Sequence, residues 1–211
     1  MIVDIKQLAY RISFCIGNTI LVVKNSNDWN KHLSIISLYE DDSTSIERCQ
    51  LNIEHERRSF FGEILDNKYV LCGGYDTNDI WQNDCKAIGV NGIKTFNMSY
   101  PTPRSWSIAV KLNQSAMLIT GGYYNNDDLF STEIITTEGS HPGIDLPFTV
   151  YGHCMVQIKP NTIILIGGTQ NGEWFSNKTW IIDTLNGFHI TEGPTLKTGL
   201  SYPKCYKPDL T

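Results

Sequence analysis

Histidine and carboxylate side chains are present in this 211-residue chain, but their spacing does not form a catalytic site. The five histidines are scattered, and His55-Glu56 begins like the zinc-binding helix of a metalloprotease without supplying the second histidine. The sequence contains no Gly-x-Ser-x-Gly elbow, no dinucleotide-binding glycine fingerprint and no phosphate loop. We therefore expect no enzyme activity, no catalytic residue, no metal site and no cofactor.

The cysteines also lack the spacing of a metal site. The six of them stand at positions 15, 49, 72, 85, 154 and 205, without a Cys-x-x-Cys pair. Cys72 and Cys85 flank a polar segment and would face each other across a hairpin. Our main expectation is that the cysteines are buried as small hydrophobic residues. A Cys72–Cys85 disulfide is the alternative.

Acidic and aromatic residues occur together in four polar segments, and this combination suits recognition. The segments cover residues 26–31, 75–84, 123–130 and 169–177. Tyrosine and tryptophan combine a large contact area with a polar tip, while clustered carboxylates favour a basic partner. The alternative is a solvated polar rim. The predicted partner-binding residues on these segments are Asp28, Tyr75, Asp76, Asp79, Tyr124, Asp127, Asp128 and Glu173.

A repeated sequence pattern organises these segments. An apolar run that ends in two glycines precedes three of them, and the first glycines stand at positions 73, 121 and 167, so the spacing is 48 and then 46 residues. A degraded copy upstream has Lys24-Asn25 in place of the glycines. Such a period indicates a repeat architecture. The predicted structural glycines, which permit close backbone approach, are Gly73, Gly74, Gly121, Gly122, Gly167 and Gly168.

Each unit has the pattern of a small antiparallel sheet. Segments rich in β-formers alternate with turn clusters every eight to twelve residues, and no window shows sustained helical periodicity. Asn91-Gly92, between two such segments, is typical of a tight hairpin. Four-stranded units in series suit the blades of a propeller. The sequence thus predicts an all-β single array over residues 1–211, with blades at 3–53, 54–99, 100–146 and 147–193 and an orphan strand at 194–207.

These residues resemble the kelch repeat, in which an apolar strand and Gly-Gly are followed by a variable loop. An arginine commonly precedes the next first strand, and Arg104 and, one unit earlier, Arg58 resemble it. Tyr151-Gly-His153 supplies the histidine of the fourth unit, whereas Ile182 replaces the family's tyrosine before Asp183. The resemblance implies a kelch-type β-propeller. Arg58 and Arg104 would then lie at blade entrances near the axis, where they hold an acidic ligand or cap the channel.

The end of the sequence resembles the start of another unit. Residues 194–200 match the segment that leads into a blade, and a fifth glycine pair would fall beyond Thr211. We favour an open or incomplete ring of about four blades, which would invite self-association through exposed sheet faces and edges. The alternative is a small ring that the last strand closes by completing the first blade.

The composition narrows the classes of partner and compartment. The net charge of −5 and a pI of about 5.5 argue against a nucleic-acid or anionic-membrane footprint. No apolar stretch is long enough to span a bilayer. Residues 1–6 lack the layout of a signal peptide, so we expect a cytoplasmic protein, with an extracellular one as the alternative because of three glycosylation sequons and six cysteines.

The function that these features favour is a non-catalytic module for protein–protein interaction. Its long loops would present one propeller face to a peptide or protein, because recognition usually lies in loops on a rigid scaffold. Two alternatives remain open. One is a propeller enzyme or carbohydrate-binding protein with a site in the central channel. The other is a truncated, non-functional paralogue.

Overall fold

The computed structural model describes the backbone over most of the chain and the side chains from residue 57 onward, apart from 67, 88–98, 186 and the residues after 205. The described ranges are 11–16, 19–25, 34–42, 45–47, 53–55, 57–66, 68–89, 92–185 and 187–205. Asp28, Asn91 and residues 206–207 of the predicted orphan strand lie outside them.

The described residues form antiparallel sheets and no helix, which confirms the all-β prediction. They accordingly include no helix that could cross a membrane. Sheet I contains five strands, in the order β1-β2-β3-β4 with β5 paired to β3, so it departs from the predicted four-stranded unit. Its strands are β1 (Arg11–Ile16), β2 (Thr19–Asn25), β3 (Ser34–Asp42), β4 (Ser45–Glu47) and β5 (Ile53–His55).

Three further sheets each have four strands joined in the order of a simple meander. Sheet II consists of β6 (Phe61–Leu65), β7 (Lys68–Cys72), β8 (Asp84–Gly89) and β9 (Gly92–Ser99). Sheet III consists of β10 (Ile108–Asn113), β11 (Ala116–Thr120), β14 (Thr132–Thr136) and β15 (Gly139–Pro142). Sheet IV consists of β17 (Cys154–Lys159), β18 (Thr162–Ile166), β20 (Thr179–Asp183) and β21 (His189–Glu192).

Two short ladders lie between these sheets. In the hairpin of β12 (Tyr123–Tyr124) and β13 (Asp127–Asp128), Asn125 and Asn126 form the turn, and both have positive φ. Two consecutive residues with positive φ are the signature of a type I′ hairpin turn, which asparagine tolerates well. In the second ladder, β16 (Val150–Tyr151) pairs with β19 (Thr169–Gln170).

The core lies between neighbouring sheets, because each second strand has apolar residues on both faces. Met117 and Ile119 of β11 pack with sheet II, whereas Leu118, on the opposite face, packs with sheet IV. The first cluster also contains Phe61, Leu65, Val70, Cys72, Cys85, Tyr100 and Ile135. The second also contains Val110, Leu146, Phe148, Val150, Met155, Ile163, Leu165 and Ile182.

The glycine pairs lie where one unit's backbone touches the next. At Gly121, φ is 52° and a Cβ atom would lie 2.2 Å from the carbonyl oxygen of Val150. The following amide, that of Gly122, donates to this same oxygen at 2.7 Å. Only glycine fits such an approach without displacing the backbone. All six residues of the three pairs have positive φ: Gly73, Gly74, Gly121, Gly122, Gly167 and Gly168.

The segments that lead into successive sheets form a repeating backbone series. Ser59, Trp106, Gly152 and Tyr202 all have positive φ, between 51° and 59°. The amide of Trp106 donates to Ser59 O at 3.4 Å, that of Gly152 to Trp106 O at 3.0 Å, and that of Tyr202 to Gly152 O at 2.7 Å. We call residues 57–60, 104–107, 150–153 and 200–203 the lead-ins. Their hydrogen bonds align equivalent positions of consecutive units side by side.

Four cysteines form two disulfides, whereas our main expectation was that the cysteines are buried as small hydrophobic residues. Cys72 and Cys85 are directly opposite each other on β7 and β8 and are bonded. Cys154, at the start of β17, is bonded to Cys205, which is 51 residues further along the chain. The first bond is the alternative that the hairpin spacing suggested. The second joins residues whose proximity depends on the stacking of the last lead-in against sheet IV, which no local spacing reveals.

Candidate interaction surface

The candidate site is built on three cross-strand pairs that follow the glycine pairs. Each pair joins a lead-in residue to a residue just after two glycines. The pairs are Arg58 with Tyr75, Ser105 with Tyr123, and Tyr151 with Thr169. Residues directly opposite each other in an antiparallel pair project to the same side. Equivalent positions of three consecutive units therefore present their side chains to a common surface.

Seven aromatic rings form a continuous belt on this surface. Neighbouring ring centroids are between 4.2 Å, for Tyr75 and Trp81, and 6.5 Å, for Trp106 and Tyr202. Tyr151 is buried and Tyr202 is 51 % exposed, while the other rings are half-buried. Such partly exposed, rigid aromatic area is typical of binding hot spots. We define the aromatic belt as Tyr75, Trp81, Trp106, Tyr123, Tyr124, Tyr151 and Tyr202.

Arg58 occupies one end of the aromatic belt. Its guanidinium lies 5.1 Å from the centroid of the Tyr75 ring and forms an ion pair with Asp79. The Tyr75 hydroxyl is also hydrogen-bonded to Ser105 Oγ, at 3.3 Å. Burial is the main cause that raises the pKa of Tyr75, so this hydroxyl stays protonated at neutral pH. The arrangement combines a cation–π contact with a carboxylate partner.

The predicted acidic residues have different roles in the loops. Asp76 accepts hydrogen bonds from the amides of Asn78 and Ile80 at 2.8 and 2.9 Å, so it holds its own loop. The carboxylate of Asp128 accepts a hydrogen bond from the Gly172 amide, yet burial, and after it the charge of Asp127, raises its pKa. Asp127 and Glu173 are exposed, and Asp28 lies outside the described residues.

Arg104 is a structural cation in this fold and does not reach a surface. It is fully buried, and its Nη1 donates to the carbonyl oxygens of Gly121 and Ser131, both at 3.0 Å. Its Nη2 lies 3.8 Å from Glu133 Oε1. Burial is the main cause that lowers the pKa of Arg104 and raises that of Glu133. A role in holding an external acidic ligand therefore does not fit this geometry.

The structural counterpart of Arg104 is Arg57, one residue before the predicted Arg58. Arg57 is buried and forms an ion pair of 2.6 Å with Asp84. The lead-in series aligns Ser59 with Trp106, so Arg58 takes the place of Ser105. The sequence pattern identified the right kind of residue but misplaced it by one position. This shift explains why Arg58 is half-exposed on the aromatic belt.

His153 and Thr169 are buried polar residues near the belt. The Nε2 atom of His153 lies 2.7 Å from Thr120 Oγ1, and burial lowers the pKa of His153 to about 3. The Nδ1 atom of this buried ring has no hydrogen-bond partner among the described residues. The Oγ1 atom of Thr169, opposite Tyr151, has no hydrogen-bond partner within the part of the chain that the structure describes.

Sequence reasoning found only part of the aromatic belt. Trp81 anchors its loop to the next unit, because its ring contacts Tyr123 and Tyr124 there. Phe130 and Phe175, near the ends of the two following loops, are instead 49 % and 62 % exposed. The rings that were missed are the lead-in residues Trp106, Tyr151 and Tyr202. Trp106 and Tyr202 stand at the same position of two lead-ins, which was the available sequence signal for those two rings.

Among the described residues, no group of three or more His, Cys, Asp or Glu side chains is placed to hold a metal ion.

Comparison with known proteins adds information on the fold. No family model and no curated protein sequence matches the chain. Among solved structures, the chain is similar to one entitled "Structure of YjhT", with a TM-score of 0.69 at 10 % sequence identity. The match covers 90 % of this chain and 66 % of that one, so the chain spans about two thirds of its length. At this identity the likeness concerns the fold alone.

Proposed function

We propose that this protein is a non-catalytic interaction module that binds a peptide or protein partner across the aromatic belt. The observation that carries the proposal is the continuity of the belt. Seven rings, from three consecutive units and the lead-in that follows them, have neighbouring centroids 4.2 to 6.5 Å apart and are left largely half-buried on one surface. Tyrosine and tryptophan give large contact areas at a low cost in side-chain entropy.

The scaffold that we propose is a divergent kelch-type β-propeller. The support is the recurrence of three four-stranded meanders, each with a glycine pair after its second strand. Further support is the lead-in series, in which the same inter-unit hydrogen bond recurs three times. Radial stacking would place the belt around the inner ends of the sheets.

The long loops frame this surface and give it its polar rim. Arg58 and Asp79 neutralise each other at one end, and Asp76 is engaged by its own loop. Asp127, by contrast, is exposed beside the belt. A peptide that crosses the rings would thus meet mainly aromatic area with few charges, which suits recognition by contact area and shape.

The proposal can be tested with peptides selected from a random displayed library on the full chain. We expect the affinity of selected peptides to fall about tenfold or more in Tyr124→Ser and in Tyr202→Ser, because each removes a hot-spot ring. Phe130→Ser is the matched control, since Phe130 is exposed but lies outside the belt. Calorimetric titration of the three variants measures the difference.

Two results would contradict the proposal. One is that the belt variants bind the selected peptides as tightly as the wild type does. The other is that the library yields no binder while a glycan array yields one whose binding depends on Tyr151 and Thr169. The second result would favour the carbohydrate-binding alternative, for which the unpartnered Thr169 hydroxyl beside the Tyr151 ring is the supporting feature.

A further inference from the structure

One end of the aromatic belt shows how this surface accommodates a cation. The guanidinium of Arg58 lies over the Tyr75 ring, with its charge met by Asp79. Trp81 is next in the belt, and its ring centroid is 4.2 Å from that of Tyr75. The protein thus fills this first corner with its own arginine, held by a ring face and a carboxylate.

A second corner has the same two elements but no arginine of its own. The Tyr124 ring meets Trp81 edge to face at 5.4 Å. Asp127 is directly opposite Tyr124 in the β12–β13 hairpin, so the carboxylate and the ring project to the same side. The tight turn at Asn125-Asn126 fixes this pairing.

The second corner is open and negatively charged. Tyr124 and Trp81 are half-buried, whereas Asp127 is exposed. No cationic side chain among the described residues forms an ion pair with Asp127. Asp128, the next residue, adds a second carboxyl group whose pKa is raised by burial and, after it, by the charge of Asp127. A positively charged group of a partner would therefore complement this corner.

We propose that the corner formed by Trp81, Tyr124 and Asp127 binds an arginine side chain of the partner. The planar guanidinium stacks on aromatic rings and pairs with carboxylates better than an ammonium group does, and Arg58 is the internal example of that geometry. The inference rests on the proposed function and specifies the chemistry of the partner. The sequence predicts a basic partner. The inference adds the position at which this partner binds and the type of side chain, arginine, that binds there.

The test uses ¹⁵N-labelled full-length chain and three blocked tripeptide probes: Gly-Arg-Gly, its citrulline analogue and Gly-Lys-Gly. Citrulline keeps the shape of arginine without the charge. We expect the Arg probe to shift the Trp81 indole resonance and the amides of residues 124–127, and the citrulline probe to bind at least about fivefold more weakly. The Lys probe should bind more weakly than the Arg probe.

Two variants separate the corner from general electrostatic attraction. Asp127→Asn should weaken binding of the Arg probe about threefold to fivefold, because it removes the carboxylate and leaves the rings. Glu138→Gln is the matched control: it removes one charge at the exposed turn between β14 and β15, away from the belt. It should leave the affinity unchanged, and the wild-type affinity should fall when salt is raised.

Any one of the following results would overturn the inference. Equal resonance shifts with the arginine and citrulline probes would show that the belt binds peptides without recognising a positive charge. The proposed function would then stand. Equal loss in Asp127→Asn and Glu138→Gln would indicate general charge attraction. A Lys probe as strong as the Arg probe would remove the guanidinium preference. No shift at residues 124–127 with any probe would show that the corner is not a cation site.

Discussion

At the scale of single residues, His153 is a residue of a type that often acts in catalysis, but in this protein its side chain is buried in the core. The ring is enclosed, and its Nε2 atom is paired with Thr120 Oγ1 at 2.7 Å. Burial is the cause that lowers its pKa to about 3, against 6.5 in the unfolded chain. The folded state therefore holds a neutral ring at pH values where the unfolded chain takes up a proton. Stability from this residue is complete above pH 6.5 and is lost as the pH falls towards 3.

His153→Gln should remove this acid sensitivity while keeping a polar partner for Thr120. Between pH 7.5 and 5.5, we expect the wild-type free energy of unfolding to fall by about 1.4 kcal/mol more than that of the variant. Urea denaturation at pH 7.5, 6.5 and 5.5 measures this difference. Other titrating groups, such as Glu63 with its burial-raised pKa, cancel in the comparison. Parallel pH curves for the two proteins would contradict the assignment.

Residue types were predicted more successfully than their positions. The resemblance to a repeat family indicated an arginine before the first strand, and Arg57 and Arg104 are such buried arginines. Because Arg57 and Arg58 are adjacent, sequence alone cannot decide which side chain turns inward. The decision comes from the hydrogen bond between Ser59 and Trp106, which fixes the register of neighbouring units. A shift of one residue exchanges inward and outward side chains.

At the scale of elements, the glycine pairs are the positions where local sequence dictates geometry. Gly121→Ala would place a methyl group 2.2 Å from the carbonyl oxygen of Val150 and would also force a positive φ on alanine. We expect a loss of about 3 kcal/mol or more in the free energy of unfolding. Gly172 also has positive φ but has no atom within 4 Å of its Cβ position, so Gly172→Ala should cost only about 1 kcal/mol.

Thermal or urea denaturation of the two glycine variants separates close approach from backbone strain. If both lose the same stability, the contact between Gly121 and Val150 does not constrain the fold. Because both substitutions add one methyl group at a residue with positive φ, the difference between them reports on the contact alone.

Strands with runs of β-branched residues were readily predicted from the sequence. Strands whose conformation depends on pairing with a neighbouring strand were not. The last strand of sheet III, β15 (Gly139–Pro142), is of the second kind. The residues of β15, Gly-Ser-His-Pro, have little intrinsic preference for a strand, and their conformation is set by the ladder with β14. The aromatic belt could likewise be predicted only in part, because its rings come from loops and lead-ins of separate units and meet only when the sheets stack.

At the scale of the whole molecule, the two disulfides are relevant to the compartment in which the protein is found. Cys154–Cys205 closes a loop across 51 residues and ties the last lead-in to sheet IV. Disulfides persist mainly in oxidising compartments, which supports the extracellular alternative over the cytoplasmic expectation. Both compartments remain predictions.

We expect the exposed apolar side chains near sheet IV to cause self-association. Trp174, Phe175 and Leu200 are 66 %, 62 % and 39 % exposed, and the amide of Leu200 donates to Ser176 O, so the two segments are adjacent. Large apolar side chains that are exposed close together often mark an interaction surface. We expect the apparent mass to rise with concentration in size-exclusion chromatography with light scattering, between about 5 and 200 µM.

The double variant Phe175→Asp/Leu200→Asp should suppress this association, because it places charges within the exposed apolar area. Ile144→Asp is the matched control, since Ile144 is 41 % exposed in the connection that follows sheet III. It should leave the association unchanged if the surface at sheet IV is specific. A wild-type protein that stays monomeric over the whole range would contradict the prediction, as would equal suppression by the control.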